Sequence, residues 1–313
     1  MAPADPEAGD LFHAGEREVQ RRAGVADVAL RVGRGALQTA IDPEFAVFLA
    51  QRPFLVAAAQ APDGRLWASL LVGPPGFARV LDSQHVSLLA QPTAGDPLAA
   101  ALAAGPVAIG LLALDAATRS RIRLNGSATA TDAGILVSIE EVFGNCTKYI
   151  AQRIAVQVID GGRPDPTRST GSRLSEAQRA FVARTDTAFV ASAHAARGAD
   201  ASHRGGRPGF LEVAGDGRRV LLPDYSGNRM FQTLGNLTVD PRIGLLVIDW
   251  DTGRTVQLAG TAEILWDGPE VDARPKVDRV VSIEVEAVAE QIRALPVRFE
   301  LRESHQLNPP LRR

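Results

Sequence analysis

The chain has 313 residues, of which 45% are hydrophobic and 22% charged, a composition typical of a soluble globular protein with room for two domains. The formal net charge of −2 argues against nucleic acid as a partner. The single cysteine, Cys146, excludes an internal disulfide framework, and five scattered histidines predict no metal site. No secretory signal and no stretch of the ~20 apolar residues needed for a membrane span is recognised, so we expect a cytoplasmic protein without a membrane partner.

The first predicted elements are helical. From Phe12 onward the spacing of apolar residues fits a short amphipathic helix, which lies within a predicted N-terminal helical extension of residues 1–40. A further helix is predicted to begin at Asp42, a good N-cap residue that is followed by Pro43 at the first helical position. This helix opens the first predicted domain, residues 41–158.

Short apolar runs after this helix predict strands. An Asp-Gly pair at residues 63–64 separates the first two runs and is a strong hairpin signal. Strands are expected at 54–60, 66–72, 86–90, 107–114, 122–131 and 135–140. The connections are short, so most of these strands should pair as antiparallel hairpins.

A linker and a second domain follow. Residues 159–174 are rich in Pro, Gly and Ser without an apolar period, which predicts a linker. Ser175 and Gln178 then form a capping-box signature that opens the second domain, residues 175–313. Strands are expected at 188–193, 199–204, 210–213, 219–222, 243–250, 255–265 and 277–285.

The two halves share sequence. Residues 108–126 read AIGLLALDAATRSRIRLNG and residues 242–260 read RIGLLVIDWDTGRTVQLAG, aligned without a gap. Residues 73–77 match 206–210 at nearly the same offset, and the Val-Ser-Ile-Glu of 137–140 recurs later in the second half. Such a repeat indicates a duplicated domain, and each copy, a helix with about six short strands, predicts a small antiparallel barrel. Like domains tend to pack about a pseudo-two-fold axis.

The copies differ between their fourth and fifth strands. In the second copy a helix is predicted to start near Ser226, and the free N–H groups of its first turn would bind an anion. Asn228 and Arg229 add side-chain donors, and Arg204 ends a neighbouring predicted strand. The alternative is that Ser226 is only an N-cap and Arg229 a solvated side chain. Because Leu71 replaces Arg204 in the first copy, we predict a phosphate site in the second copy only.

The segments around this site resemble a known family. Residues 225–229 (YSGNR), 233–237 (TLGNL) and 240–249 (DPRIGLLVID) follow the order of the pyridoxamine 5′-phosphate oxidase-like flavoproteins: a phosphate helix, an Asn-Leu, an Asp-Pro turn and an apolar strand. Residues 202–210 and 143–150 resemble motifs of a tandem subgroup. The resemblance implies a mainly β fold of two tandem split β-barrels with flanking helices, and FMN bound in the cleft between barrels.

The resemblance and the pattern together nominate residues for FMN. The candidates are Arg204, Ser226, Gly227, Asn228 and Arg229, with His203, Gln257, Asn145, Cys146 and Tyr149. Several have a second interpretation. Because His203 and Arg204 alternate on a strand, Arg204 is the better phosphate ligand. Cys146 is also consistent with a small buried side chain. Tyr149 is consistent with a residue that covers the end of the barrel, and Gln257 with a solvated strand position.

Arg119, Arg121 and Arg123 alternate on one strand face of the first copy. This pattern fits a domain interface or a substrate phosphate, and a solvated face is the commoner case.

Two departures from the family restrict what the resemblance implies. Relatives place a Lys a few residues beyond the position of Arg229, which leaves two alignments of the phosphate helix that differ by one helical turn. Residues 307–313 (LNPPLRR) do not clearly reproduce the family's Arg-containing tail, which weakens the case for vitamin B6 as the substrate.

Two classes of function follow. The first is an FMN-dependent oxidoreductase that acts on an unidentified small molecule, with NAD(P)H as a possible electron donor. The second is a carrier or sensor that binds flavin or haem without turnover. In either class the first copy is expected to serve as the built-in partner of the second, so that a homodimer would be an additional level of assembly.

Overall fold

The computed structural model describes residues 10–144, 146–158 and 169–311 and has a mainly β fold with flanking helices. Helices α1 (Ala14–Arg22) and α2 (Ala26–Ala36) precede the first barrel. Helix α1 begins as the apolar spacing predicts, and the Glu16 carboxylate accepts the backbone N–H of His13 at its start. Helix α2 lies within the predicted helical extension but was not predicted as a separate element, because its N-cap, Val25, provides no side-chain cap that a sequence pattern could reveal.

The first copy opens with helix α3 (Pro43–Ala50), and the predicted cap is confirmed because the Asp42 carboxylate accepts the N–H of Phe45 at 2.7 Å. The remaining elements are β1 (Phe54–Gln60), β2 (Leu66–Val72), β3 (Ala78–Asp82), β4 (His85–Leu88), α4 (Pro97–Ala103), β5 (Val107–Asp115), β6 (Ser120–Thr131), β7 (Gly134–Gly144) and β8 (Gln152–Val158). Strands β1 to β7 form one antiparallel sheet in the order β2-β1-β5-β6-β7-β4-β3.

The second copy repeats this arrangement. Its elements are β9 (Ser169–Gly171), α5 (Glu176–Ala183), β10 (Thr187–His194), β11 (Gly198–Gly205), β12 (Glu212–Val213), β13 (Arg219–Asp224), α6 (Gln232–Val239), β14 (Arg242–Ile248), β15 (Thr255–Leu265), α7 (Pro269–Asp272), β16 (Arg279–Gln291) and β17 (Val297–Glu303). The sheet order β11-β10-β14-β15-β16-β13-β12 matches the first sheet strand for strand, and β9 adds to β16. Helices α4 and α6 occupy equivalent places, which the sequence did not reveal.

The C-terminal strand returns to the first copy. Strand β17 pairs with β8 in a two-stranded antiparallel ribbon, so the two copies are joined at their ends as well as by the linker. Most of the predicted linker lies outside the described residues, and the predicted domain boundaries stay predictions. Among the residues described, no helix combines the length and the apolar character needed to cross a bilayer.

The duplication extends to a β-bulge. The register shifts between Asn125 and Gly126 on β6, and between Ala259 and Gly260 on β15. The closing glycines of the sequence repeat lie at this bulge, where a Cβ would collide with a backbone carbonyl of the neighbouring strand. The repeat therefore records a constraint of the backbone.

One apparent repeat is out of register. Val137 of β7 pairs with Ala128 of β6, whereas Ile283 of β16 pairs with the equivalent Ala262 of β15. The structural equivalent of Val137 is therefore Ile283, two residues beyond the Val281 of the matching Val-Ser-Ile-Glu. A shift of two keeps every side chain on the same face, so hydrophobic pattern alone does not detect it.

The barrels pack against each other through a second pair of repeated glycines. A Cβ on Gly110 of β5 would lie 2.6 Å from the carbonyl oxygen of Ala199 in β11, and one on Gly244 of β14 would lie 2.8 Å from the amide nitrogen of Ala68 in β2. Each copy thus offers the glycine of its Ile-Gly-Leu-Leu segment to the other copy, as a pseudo-two-fold axis requires. One apolar cluster is built from both copies and includes Phe54, Phe189 and Trp250.

Candidate anion-binding cleft

A cationic cleft lies between the two barrels, where β6 of the first copy faces β11 and the start of α6 in the second copy. The cations that line it are Arg121, Arg123 and Lys148 of the first copy and Arg204 and Arg229 of the second. Asp224 is the carboxylate among these lining residues. The cleft therefore carries an excess of positive charge and contains groups from both copies.

The carboxylate of Asp224 is already committed to two guanidinium groups. Arg204 Nη1 donates to Asp224 Oδ1 at 2.9 Å, and Arg279 Nε lies 3.0 Å from Asp224 Oδ2. Both Asp224 and Arg279 are buried. This arrangement orients Arg204 at the wall of the cleft. Because Asp224 already pairs with two guanidinium groups, it does not neutralise the other cations of the cleft.

Arg121 has no carboxylate within ion-pair distance among the described residues. Its Nη1 donates to His203 Nδ1 at 2.7 Å. Burial, with the guanidinium groups of Arg123 and Arg204, lowers the pKa of Arg121 to about 9. Burial and the same cationic surroundings hold the pKa of His203 well below its usual 6.5, so the imidazole is neutral and accepts this bond. A bound anion would relieve the repulsion around Arg121.

Arg123 is better compensated. It is buried, its Nη1 lies 3.0 Å from Asp200 Oδ2, and its guanidinium stands over the ring of Phe143 at 5.3 Å. The Arg123 Nε atom nevertheless has no hydrogen-bond partner. The ion pair with Asp200 links strand β6 of the first copy to strand β11 of the second and marks the inner end of the cationic cleft.

The helix start differs from the prediction. Helix α6 begins at Gln232, and not near Ser226, because Arg229 (φ 67°) and Phe231 (φ 65°) adopt left-handed conformations that an α-helix excludes. Arg229 is therefore a loop residue whose exposed side chain lines the cleft. The Asn228 side-chain oxygen accepts the N–H of Met230 at 3.1 Å, which shapes this loop.

The start of α6 still faces the cleft. No side chain caps its first N–H groups, since the N-cap position is Phe231. Thr233 Oγ1 donates to Ser202 Oγ at 3.0 Å and so fixes the helix against β11. The N–H groups without a side-chain cap and the helix dipole favour an anion at this position, beside Arg204 and Arg229.

The structure brings most of the nominated residues together. Gly227, Asn228 and Tyr149 line the same cleft as the arginines and His203. The Tyr149 hydroxyl donates to the carbonyl oxygen of Ser226 at 3.1 Å, which ties the first copy to the loop. Cys146 is a half-buried free thiol outside the lining, and Asn145 lies outside the described residues.

Gln257 is separated from the other candidates. Its side chain is buried against the first copy and donates to the carbonyl oxygen of Ala68 at 2.9 Å and to Asp96 Oδ2 at 3.1 Å. This place is the pseudo-symmetric counterpart of the cationic cleft. The sequence suggested that Gln257 hydrogen-bonds the edge of a flavin. In the structure its side chain instead hydrogen-bonds the first copy and so joins the two barrels.

Sequence reasoning undervalued Arg121 and Arg123. Their alternation on β6 was recognised, but a solvated face was favoured, and the fold turns this face toward the second copy. The second copy supplies the missing signal, because Thr255 and Gln257 stand at the equivalent positions of β15 and carry no charge. This charge difference between the repeats makes Arg121 and Arg123 candidate site residues.

An acidic compartment continues from the cationic cleft beyond Asp200, and Gln232 lines both. Burial raises the pKa of Glu16 to about 8 and the pKa of Glu141 to about 7. Asn125 donates to Glu141 Oε2 at 3.1 Å. The space between the barrels thus has a cationic end and an end lined by carboxyl groups whose pKa values burial raises.

Comparison with known proteins identifies the second barrel. The family model described as pyridoxamine 5′-phosphate oxidase matches residues 174–303. A search of curated proteins finds no match. The segment 174–303 therefore belongs to the pyridoxamine 5′-phosphate oxidase-like split-barrel family, as its motifs indicate, and the first copy shares its topology.

Solved structures with similarity to the chain include three bacterial proteins. HupZ from Group A Streptococcus is 17% identical, with 37% of this chain and 92% of that chain covered and a TM-score of 0.31. The FAD binding protein from Mycobacterium smegmatis is 11% identical (39% and 98% covered, TM-score 0.26). A Clostridium acetobutylicum protein related to general stress protein 26 is 14% identical (39% and 89% covered, TM-score 0.26).

Proposed function

We propose that the chain binds one FMN in the cleft between its two barrels and uses it as an oxidoreductase. The observation that carries this proposal is the excess of cations over carboxylates in the cleft, above all Arg121, which has no described carboxylate partner. A phosphate group is the ligand chemistry that such a set recognises, because several guanidinium groups and helix N–H donors converge on one place.

The residues present fit a flavin mononucleotide. Arg121, Arg204 and Arg229 would hold the phosphate together with the first N–H groups of α6. When bound, FMN supplies the hydride and electron chemistry, and the protein supplies binding, orientation and electrostatics. The carboxyl groups of Glu16 and Glu141, whose pKa values burial raises, lie in the adjoining compartment, and in their protonated form they can donate hydrogen bonds to a ring or a substrate.

Both copies contribute to the proposed site, which supports an internal partnership. Arg121 and Lys148 come from the first copy, whereas Arg204 and Arg229 come from the second. A single chain can therefore complete the cleft, and a homodimer is not required for binding. This proposal explains why the second copy alone carries the phosphate motif.

The experiment is the absorbance spectrum of the purified protein followed by titration of the flavin-free protein with FMN. We expect a flavin spectrum and saturation at one FMN per chain. Reduction of the bound flavin by NADH or NADPH, and reoxidation by an acceptor, would support an oxidoreductase with that donor. Binding of FMN without reduction would favour a carrier or sensor. A haem spectrum would show that haem, and not flavin, is the ligand. Absence of FMN binding would refute the proposal.

A further inference from the structure

The inter-barrel space has two ends related by the pseudo-two-fold axis, and only one of them is the cationic cleft. The other lies at the start of α4, between β2 of the first copy and β15 of the second. In this second cleft the N-cap residue of α4 is Asp96, at the position that Phe231 occupies in α6. The two N-caps mark equivalent helix starts, although the backbone of Asp96 is extended (φ −68°) and that of Phe231 is left-handed (φ 65°).

The side chain of Asp96 fills the second cleft. It is buried, and Oδ1 accepts from Ser69 Oγ at 2.6 Å and from the N–H of Leu98 at 2.9 Å. Oδ2 accepts from Gln257 Nε2 at 3.1 Å and from Gln291 Nε2 at 3.0 Å. The carboxylate thus bridges helix α4 and strand β2 of one copy to strands β15 and β16 of the other.

The donors around Asp96 have counterparts in the open cleft. Ser69 corresponds to Ser202, and the N–H of Leu98, the second residue of α4, corresponds to that of Thr233 in α6. Ser202 and Thr233 are already bonded to each other across β11 and α6. The same hydroxyl and helix N–H therefore surround the same point in both clefts.

The side-chain charges differ between the two clefts: the second cleft contains a carboxylate and lacks the cations of the open cleft. Relative to the open cleft, the second cleft has Leu71 in place of Arg204, Thr255 in place of Arg121 and Gln257 in place of Arg123. Three cations are absent where one carboxylate is present, and neutral donors satisfy that carboxylate. Burial raises the pKa of Asp96, and the hydrogen bonds from Ser69, Leu98, Gln257 and Gln291 oppose that shift and favour the charged carboxylate. All four donors come from the protein.

We propose that the Asp96 carboxylate takes, in the first copy, the place that the anionic group of the ligand takes in the second. Asp96 seals one of two equivalent clefts with an internal anion, limits the chain to one ligand, and keeps the barrels bridged on that side without ligand. The inference rests on the proposed function for the identity of the ligand. It adds Arg123 to the groups that meet the anion, and it assigns the N–H of Thr233 as the helix donor.

The test installs the same carboxylate in the open cleft. Phe231→Asp places an acid at the N-cap of α6, and Phe231→Asn is its uncharged match. Asp and Asn both tolerate the left-handed backbone that residue 231 adopts. We expect Phe231→Asp to bind FMN at least tenfold more weakly than Phe231→Asn, because its own carboxylate occupies the anion position. Equal affinities would overturn the proposal.

A readout without ligand separates this inference from the proposed function. At pH 7 without FMN or phosphate, Phe231→Asp should unfold at a higher urea concentration than Phe231→Asn, because the new carboxylate offsets the charges of Arg121 and Arg204. The difference should shrink at high salt and at acid pH. If the wild type binds no FMN, the proposed function fails, but the comparison of Phe231→Asp with Phe231→Asn still tests the role of Asp96. A difference in stability supports a carboxylate at the anion position, and no difference refutes it.

Asp96 itself provides a second variant. Asp96→Asn replaces an oxygen that accepts two bonds by an amide nitrogen that accepts none, so it should lower the urea midpoint. FMN affinity should stay within twofold of wild type, because Asp96 belongs to the sealed cleft. A tenfold change in FMN affinity would show that the two clefts are not separate sites and would overturn the assignment.

Discussion

Replacement of Arg121 by Met should stabilise the ligand-free protein and weaken FMN binding at the same time. Burial and the neighbouring guanidinium groups lower the pKa of Arg121 from 12.5 to about 9. At 1.36 kcal/mol per pKa unit, the charged side chain costs the folded state up to about 5 kcal/mol, and solvent screening reduces this toward about 2–3 kcal/mol. Met keeps the volume and removes the charge, at the loss of a hydrogen bond to His203 worth about 1 kcal/mol. The net gain in the free energy of unfolding is about 1–2 kcal/mol.

The same substitution should cost about 1.5–3 kcal/mol of FMN binding, the value of a charge-assisted hydrogen bond, which corresponds to about 10- to 150-fold in Kd. Urea unfolding of the ligand-free protein and fluorescence titration with FMN measure the two effects. The control is Arg119→Met, since Arg119 pairs with Glu303 outside the cleft lining and its loss should leave Kd unchanged. An Arg121→Met protein that is less stable and binds FMN normally would refute the reasoning.

Three further outcomes are expected. Arg229→Ala should weaken FMN binding by about 10- to 150-fold with little effect on the urea midpoint, because its side chain is exposed; normal binding would place the phosphate elsewhere. Gly110→Ala should destabilise the protein by more than about 2 kcal/mol, because its Cβ would enter the backbone of the other barrel, whereas Gly35→Ala in exposed helix α2 should be neutral or stabilising. Burial raises the pKa of Glu16 from 4.5 to about 8, so the wild-type free energy of unfolding should fall as the pH rises through this interval. Glu16→Gln should flatten that fall by up to about 1.4 kcal/mol per pH unit in urea unfolding measured across it, and an unchanged slope would contradict the shift.

The fold was predictable because the duplication is recorded in backbone constraints. Gly110 and Gly244 lie where the barrels approach each other, and Gly126 and Gly260 lie at the shared β-bulge. These positions tolerate no side chain, so they kept their identity in both copies and gave the sequence repeat its clearest matches. Strands β8 and β17 were missed because they form an exposed ribbon without a buried apolar face.

The site was predicted only in part. Arg204 and Arg229 stood out because the first copy lacks them, and they line one cleft in the structure. The partners from the other barrel, Arg121 and Arg123, depend on how the copies pack, and strand alternation alone does not show which face another domain covers. The start of helix α6 was predicted too early, because Arg229 and Phe231 adopt left-handed backbone conformations that neither residue type favours.

The sequence also could not show that Asp96 and Gln257 belong together. They are 161 residues apart, and each taken alone fits an ordinary surface position: an N-cap and a strand glutamine. Only the pairing of the two sheets about the pseudo-two-fold axis brings them into contact. Asymmetry between duplicated copies gave the correct side for the cationic cleft, but the chemistry that replaced it in the other cleft required the structure.

The central claim is that one chain, with both of its barrels, completes one FMN site. Size-exclusion chromatography with light scattering and flavin absorbance measures the mass of the particle and its flavin content together. The account predicts one FMN per chain in a particle with the mass of a single chain, and the same ratio in any larger assembly. Two FMN per chain, or FMN confined to a dimer while the monomer remains flavin-free at saturating FMN, would contradict it.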